Sequence, residues 1–566
     1  MPPGTTPTPD PGDARVGQND LGITLRWGLP LLVGALVLWV NLETSPSLAG
    51  LIPSLVAAAW VLACTAPGST GRALVRWVER RDRWALAIPL ALVFAWGLTG
   101  ALVRFHRFSA DVDLALFDNI AWNSLEGRLF ANYNGNHLAN HVSPVLLLTL
   151  PFYALASGPE GLLFAQSLAL AAAALPLHTL ARRRLPPLPS LLLASAFLLL
   201  PGIFSQHLDD FHETPFVALP FFLALLFFAQ GRFRPFLAAY MAASVLVIEY
   251  YALALAIFGL YALWRRRSPR WFLAPAAISL AWAGLTLGII MPSFRAETPT
   301  PQANWTLNYY AHLGSSPGEI LGSVLHDPLG TIFADPLGES QGVRRPIQLW
   351  YLRDLFLPFL FALPLLSPEW LFAVPELMKN LPTGYGGVVS LAMHHSVLAS
   401  SALMAASLAT LASLQSRLPG LVPGLAAAML ALAATSPQTV ATLLTPVYLL
   451  RAPPPPFADA LELIGPTASV SAPAEAMAHL SRRRQTFYSS APQSLEAQQR
   501  GRIHAILLYA PPSRPLNATQ EALRETVAGD PGYRLAYQQG GVALYLLQAS
   551  EAGVVQPGAS PGLASR

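Results

Sequence analysis

Charge, thiols and amines are scarce in this chain. Only 12% of its 566 residues are Asp, Glu, Lys or Arg, against about a quarter in an ordinary soluble domain. A water-soluble globule so poor in charge could not cover its surface, so that class is excluded. The single cysteine, Cys64, sits in an apolar run, which excludes a disulfide framework and a thiolate metal centre. Lys379 is the only lysine, and 35 Lys+Arg against 31 Asp+Glu leave a net charge of +4 with no basic tract, so no nucleic acid partner is expected. No repeat of fixed period is present, which excludes solenoids and propellers. Apolar residues make up 53% of the chain and the mean hydropathy is +0.44. Together these describe a multi-pass membrane protein with a polar appendage.

A crossing helix needs roughly 20 apolar residues to cover about 30 Å of hydrocarbon. Runs near 22–41, 48–66, 84–103, 161–182, 187–203, 214–230, 271–292 and 420–448 meet or approach that length. Short arginine-rich loops stay on the cytoplasmic side. That rule places Arg72, Arg76, Arg80, Arg81 and Arg83 there, with Arg182 to Arg184, Arg232 and Arg234, and Arg265 to Arg267 with Arg270. The stretch Ser143 to Leu155 is then too short to cross and is expected along the outer face. Residues 235–264 must go out and return, turning near Glu249, and 350–366 with 368–381 form an inward and outward pair. The expected fold is an all-α polytopic membrane protein of about thirteen transmembrane helices with a cytoplasmic N-terminus and an external C-terminus.

Composition divides the chain further. Residues 1–21, rich in Pro, Gly, Thr and Asp, read as a disordered cytoplasmic tail before an uncleaved first span. Residues 22–450 form the transmembrane domain, with an outer loop over 104–160. Residues 451–456 are a stiff proline linker, 457–550 a small extracytoplasmic α/β domain, and 551–566 a disordered tail. Within the external domain, Ile503 to Tyr509 and Val542 to Leu547 read as strands, and 518–528 as a helix opening near Asn517.

Polar groups then stand out against this apolar background. The outer loop opens with an amphipathic helix, Leu114, Phe117, Ile120 and Ala121 lying at helical spacing and Asp111, Asp113 and Asp118 near its start. A carboxylate in a first helical turn is favoured by the macrodipole, which accounts for Asp111 better than for Asp113 or Asp118. The segment HLDDFHE puts His207, Asp210, His212 and Glu213 into seven residues, all competent metal ligands by type, although one short loop rarely supplies a whole coordination sphere. Glu249 lies in the otherwise apolar VLVIEYYALAL, where an ionisable group marks a functional site or a buried pair. His394 and His395 open another apolar helix. On the charge rule these groups, with His141, converge on one face of the membrane.

The phrases DLALFDNIAWN at 113–123, NHVSP at 140–144, DFHE at 210–213, Glu249 opening a helix, LLSPEWLFAVPELMKNL at 365–381, HH at 394–395 and SVSAPAEAMAHLSRR at 469–483 resemble one family of multi-pass membrane proteins, domain of unknown function two thousand seventy-nine. The resemblance runs over roughly 100–550. Where that family usually has a Lys-Glu-Asp phrase, this chain has Ile248, Glu249 and Tyr250. The layout also resembles the wider C-type (GT-C) glycosyltransferase fold, whose first external loop carries juxtamembrane helices and a catalytic acidic residue. By that resemblance the chain would transfer a sugar from a polyprenyl-phosphate donor to an extracytoplasmic acceptor, a glycan, lipid or protein of the cell envelope, at the cytoplasmic membrane. Asp113, Asp118 and Glu249 would be the catalytic candidates. His141, His207, Asp210, His212, Glu213, His394 and His395 would bind substrate; if a divalent metal is bound, Asp113, His212 and Glu213 are its candidate ligands, and a site built on the 207–213 loop would have to recruit from Asp113, His141 or Glu249.

Two other classes fit parts of the pattern. A transporter also places charge inside membrane helices, but usually shows paired repeats with matched Gly or Pro breaks, which this chain lacks. A non-catalytic lipid-binding or envelope-assembly protein would use the external domain to dock a partner.

Overall fold

The computed structural model describes residues 28–40, 51–65, 76–81, 84–297, 308–333 and 347–548. The tails expected at 1–21 and 551–566 lie outside the described residues.

The molecule is a helical bundle joined to a small sheet-containing unit. Four helices are long and apolar enough to cross a membrane: Ala87–His106, Pro159–Arg182, Arg270–Ala296 and His394–Arg417. Two bent pairs, Pro187–Leu198 with Pro201–His207 (56°) and Val422–Thr435 with Pro437–Arg451 (48°), raise the number to six if each is one span. Proline opens the second helix of each pair, where its missing N–H costs no helical hydrogen bond. Shorter apolar helices, among them Val145–Ala156, Thr214–Ala229, Phe233–Leu246 and Tyr250–Trp264, complete the bundle. The sequence count of about thirteen therefore exceeds what regular helix length supports among the described residues. Leucines face outward along these helices, Leu92 at 66% and Leu280 at 70% exposed, as expected of lipid-facing positions. Inside, Phe221, Phe258 and Phe372 pack ring against ring.

Residues 350–381 differ most from the expected helix pair. The chain forms Ile347–Phe356, three short 3-10 turns over Leu357–Phe359, Pro364–Leu366 and Pro368–Ala373, and the helix Val374–Asn380. Pro358, Pro364 and Pro368 remove amide donors and clash with the preceding turn, so an apolar run of spanning length does not become a spanning helix. In contrast, residues 233–264 break where the charge rule requires a turn. A π-helical segment, Ala242–Leu246, precedes an irregular step that puts Glu249 immediately before the helix Tyr250–Leu255.

Two strands, β1 (Ala131–Asn132) and β2 (Gly135–Asn136), pair as a tight antiparallel ribbon in the 104–142 segment. The C-terminal unit has β3 (Val470–Ala472), β4 (Thr486–Tyr488), β5 (Ala505–Tyr509), β6 (Tyr533–Gln539) and β7 (Val542–Leu547). They form one sheet in the order β4-β3-β5-β7-β6, with β3 parallel to β4 and β5 and β7 antiparallel to β5 and β6. Its helix Ala518–Ala528 is started by a capping box, Asn517 Oδ1 accepting from the Gln520 amide at 2.9 Å and Gln520 Oε1 from the Asn517 amide at 3.1 Å. The sheet unit and the helix Val112–Leu125 share one apolar cluster, in which Phe117 and Leu114 lie with Met477 and Phe457.

Candidate functional site

Two carboxylates satisfy the first amides of the helix Val112–Leu125. Asp111 is extended (φ −102°, ψ −175°) and its Oδ1 accepts from the Val112 amide at 2.8 Å. Asp210 reaches across from the 207–213 segment, its Oδ2 accepting from the amides of Asp111 at 2.8 Å and Leu114 at 3.0 Å. Burial pushes the Asp210 carboxyl up to about 6, against the Arg104 guanidinium, which stands 3.6 Å from its Oδ1. Asp210, expected to bind substrate, is thus engaged in fixing the start of this helix.

That fixed start presents Asp113, whose side chain is 41% exposed, to the buried ring of His212, with Nε2 3.4 Å from Oδ2. The other ring nitrogen, Nδ1, lies 2.9 Å from the Asp210 carbonyl and 3.7 Å from Asp209 Oδ2. His394 stacks on His212 at 3.5 Å between centroids, and its Nδ1 is 3.3 Å from the same Asp209 oxygen. The His395 ring lies 4.0 Å from His394 between centroids, tilted at 45° to it. Burial disfavours an imidazolium at His212, but Asp209 and Asp113 outweigh it and push the ring up to about 10. Desolvation acts to raise the Asp113 carboxyl, and the hydrogen bond and charge of His212 hold it below the usual carboxylate range. The same pairing keeps Asp209 low despite its burial. The geometry is a buried imidazole between two carboxylates, of which Asp113 is the more exposed.

A second pair of acids lies beside it. Glu213 accepts from the Ser143 hydroxyl at 3.0 Å and faces His137 Nε2 at 3.6 Å. Burial opposes its ionisation, and His137 and His141 override that and lower it. Glu249 holds His141 Nδ1 at 3.0 Å through Oε1 and accepts from the Val142 amide at 2.9 Å through Oε2. Burial works against protonated His141 and Glu249 outweighs it, so its basicity is raised. The phrase NHVSP therefore ties the 137–143 turn to both glutamates.

Asp118 goes elsewhere. Five positions beyond Asp113, it is turned about 140° around the helix, fully buried against the C-terminal unit. Its Oδ2 accepts from the Ser481 hydroxyl, and Arg482 Nε stands 3.5 Å from Oδ1. Asn119 donates to the carbonyls of Ser481 at 2.5 Å and Arg483 at 3.0 Å. His207 is also remote from the stack. It is 1% exposed and packs so closely on Gly97 that a Cβ there would sit 2.3 Å from its Nδ1. Asp118→Ala should cost about 1–3 kcal/mol by leaving buried donors unpaired, whereas Asp118→Asn should cost less than about 1 kcal/mol. Burial raises Asp118 to about 6, so its charge opposes docking above that pH and docking tightens as pH falls through 6. Thermal melts of both variants at pH 5 and pH 8 check this.

Sequence reasoning named Asp113, His212 and His394 but no role for Asp209, whose chemistry is indistinguishable from that of adjacent Asp210 until the loop backbone is known. It also missed Glu376, fully buried, which accepts from Tyr250 at 3.3 Å, Tyr251 at 3.4 Å and the Ala399 amide at 2.5 Å. Lys379 lies over the Tyr250 ring at 4.6 Å. A lone lysine following a buried glutamate in PELMKN was the available signal.

Asp209, His212 and His394 offer one carboxylate and two imidazole donors within 4.8 Å of one another, a set suited to a divalent transition metal. Glu213, one of the metal candidates from sequence, is not in this group because it turns to His137 and Ser143.

The family model described as Predicted membrane protein (DUF2079) matches residues 104–544. Among solved structures, the chain is similar to ArnT from Cupriavidus metallidurans bound to undecaprenyl phosphate, with TM-score 0.49, 12% identity, and coverage of 84% of this chain and 99% of that one. It is also similar to ArnT from the same organism in the apo state (0.37, 13%, 80% and 97%). The third is the Archaeoglobus fulgidus oligosaccharyltransferase complex with Zn and sulfate (0.40, 11%, 74% and 67%). No curated protein matches the chain.

Proposed function

Because the chain belongs to the DUF2079 family of predicted membrane proteins, we propose that it is a membrane glycosyltransferase moving a sugar from a polyprenyl-phosphate donor to an acceptor hydroxyl outside the cytoplasmic membrane. The observation that carries this reading is the partly exposed Asp113 carboxylate kept ionised by buried His212. Such a group can take a proton from an acceptor without first losing one of its own. The acceptor O–H proton goes to Asp113 as the oxygen forms a bond to the sugar anomeric carbon. The bond from that carbon to the phosphate oxygen breaks, and its electron pair leaves with the lipid phosphate. The departing anion needs positive charge, for which His212, His141 and Lys379 are the candidates. Asp113 is the proposed base; Glu249 and Glu213 hold the histidine-bearing turn in place.

A divalent ion at Asp209, His212 and His394 would supply Lewis-acid stabilisation of the leaving phosphate. Binding would require His212 to give up its proton, so affinity should rise with pH. Metal analysis of purified protein should give about one zinc or manganese per chain at pH 8, lost in His394→Ala. Equal metal content in that variant removes these residues as the ligands.

The reading also places the 104–142 segment and the C-terminal unit outside the cytoplasm. Arg500, 79% exposed, replaced by cysteine in a Cys64→Ser background should react with an impermeant maleimide on intact cells. Reaction only after permeabilisation would reverse the topology. The function itself is tested by incubating the reconstituted protein with radiolabelled polyprenyl-phosphate sugars and envelope acceptors. Label transferred to acceptor supports it; accumulation of free substrate inside sealed vesicles without transfer would instead indicate a transporter.

A further inference from the structure

A separate cavity, open at one side, lies between the helices Ala174–Arg182, Ala218–Ala229, Ile257–Trp264 and Val397–Arg417. Arg184, Arg265 and Arg267 line it, with Leu225, Phe228 and Leu408 among its apolar walls. Among the described residues lining it, Glu369 is the one carboxylate, and it already accepts from the hydroxyls of Tyr261, at 2.7 Å, and Ser367. Three guanidiniums thus face one acid whose two oxygens are occupied.

The arginines are held in place. Arg267 donates to the Phe228 carbonyl at 2.7 Å and lies over the Phe228 ring at 4.8 Å. Arg265 lies over Tyr261 at 5.9 Å and Trp264 at 5.6 Å. Stacking fixes the planes of both while leaving N–H groups for an anion. Arg184 is exposed and lines the same cavity. A fixed guanidinium pair suits a phosphodiester, because its planar fork matches two phosphate oxygens. Leucine and phenylalanine walls behind it suit a hydrocarbon chain, and a free phosphate would leave them wet.

We propose that this cavity binds an anionic glycerophospholipid, the phosphodiester between Arg184, Arg265 and Arg267 and one acyl chain against Leu225 and Leu408. These arginines belong to the loops that charge distribution assigns to the cytoplasmic side, and the anionic leaflet there attracts basic groups close to its surface. The lining residues are all different from those around Asp113. The site is therefore a binding site for membrane lipid independent of any sugar donor.

The test uses the full chain in detergent, with lipid retention read by native mass spectrometry. Wild type should retain phosphatidylglycerol about 10-fold more tightly than phosphatidylcholine. Arg184→Ala/Arg265→Ala should lose about that preference. Ala409→Trp, which fills the cavity without changing charge, should lose phosphatidylglycerol equally and carries the test if the double variant does not fold. Arg80→Ala/Arg81→Ala removes two exposed basic residues elsewhere and should change nothing. If it lowers retention as much as Arg184→Ala/Arg265→Ala does, the attraction is diffuse surface charge and the site is disproved. Thermal stabilisation by inorganic phosphate equal to that by phosphatidylglycerol would make it a simple anion site and overturn the lipid assignment.

Discussion

Asp113→Asn is expected to lower sugar transfer by roughly 100-fold or more while the protein folds normally, in keeping with the 10² to 10⁴ typical of a positioned general base. Asparagine keeps the size of the side chain and most of its hydrogen bonding but cannot accept the acceptor proton. The folding part of this expectation rests on geometry. Asp111 and Asp210, not Asp113, satisfy the first amides of the helix Val112–Leu125, so the substitution leaves the helix start intact. If Asp113 only complemented the helix macrodipole, the change would cost at most about 1 kcal/mol of stability and leave turnover almost unchanged. Transfer measured on monodisperse variant protein, alongside its melting temperature, decides between the two. Near wild-type transfer would remove Asp113 from the mechanism. Asp118 would be a poor replacement, since its carboxylate is sealed against Ser481 and Arg482.

The parts of this arrangement legible in the sequence are those fixed by local pattern. An apolar run interrupted by Glu249 must turn or pair its charge, and the chain does both, breaking before Tyr250 and closing on His141. The Asn517 capping signal and the strands at 505–509 and 542–547 are likewise local. What sequence could not resolve is which of several like groups meet. Asp209 and Asp210 are adjacent, yet one faces two histidines and the other caps a helix, because the chain bends at Asp209, whose amide donates to the Ser205 carbonyl at 2.9 Å. The contact of Asp209 with His394 spans 185 positions, beyond the reach of any periodicity. The described residues hold four to six helices of regular spanning length against the thirteen or so spans expected, and part of that difference has another cause. Hydropathy counts apolar residues, but three prolines between 358 and 368 turn such a run into short 3-10 segments.

His212→Gln should then separate a structural histidine from one that sets the ionisation of the base. In the wild type His212 lowers Asp113, so the acid limb of kcat/KM against pH should lie below the ordinary carboxylate range. Glutamine can still donate a hydrogen bond but carries no charge, and the limb should move upward towards the ordinary carboxylate range. At pH 4 the variant should therefore lose more activity, relative to wild type, than it loses at pH 8. The stability effect has the opposite pH sense. His212 is raised to about 10 in the folded protein from about 6.5 in an unfolded chain. Its contribution is fully present below pH 6.5 and is lost as pH rises towards and through 10. Wild-type melting temperature should fall across that window, and the fall should be smaller in His212→Gln. A uniform loss of activity at every pH, with an unchanged acid limb, would show that His212 only packs beneath His394 and does not tune Asp113.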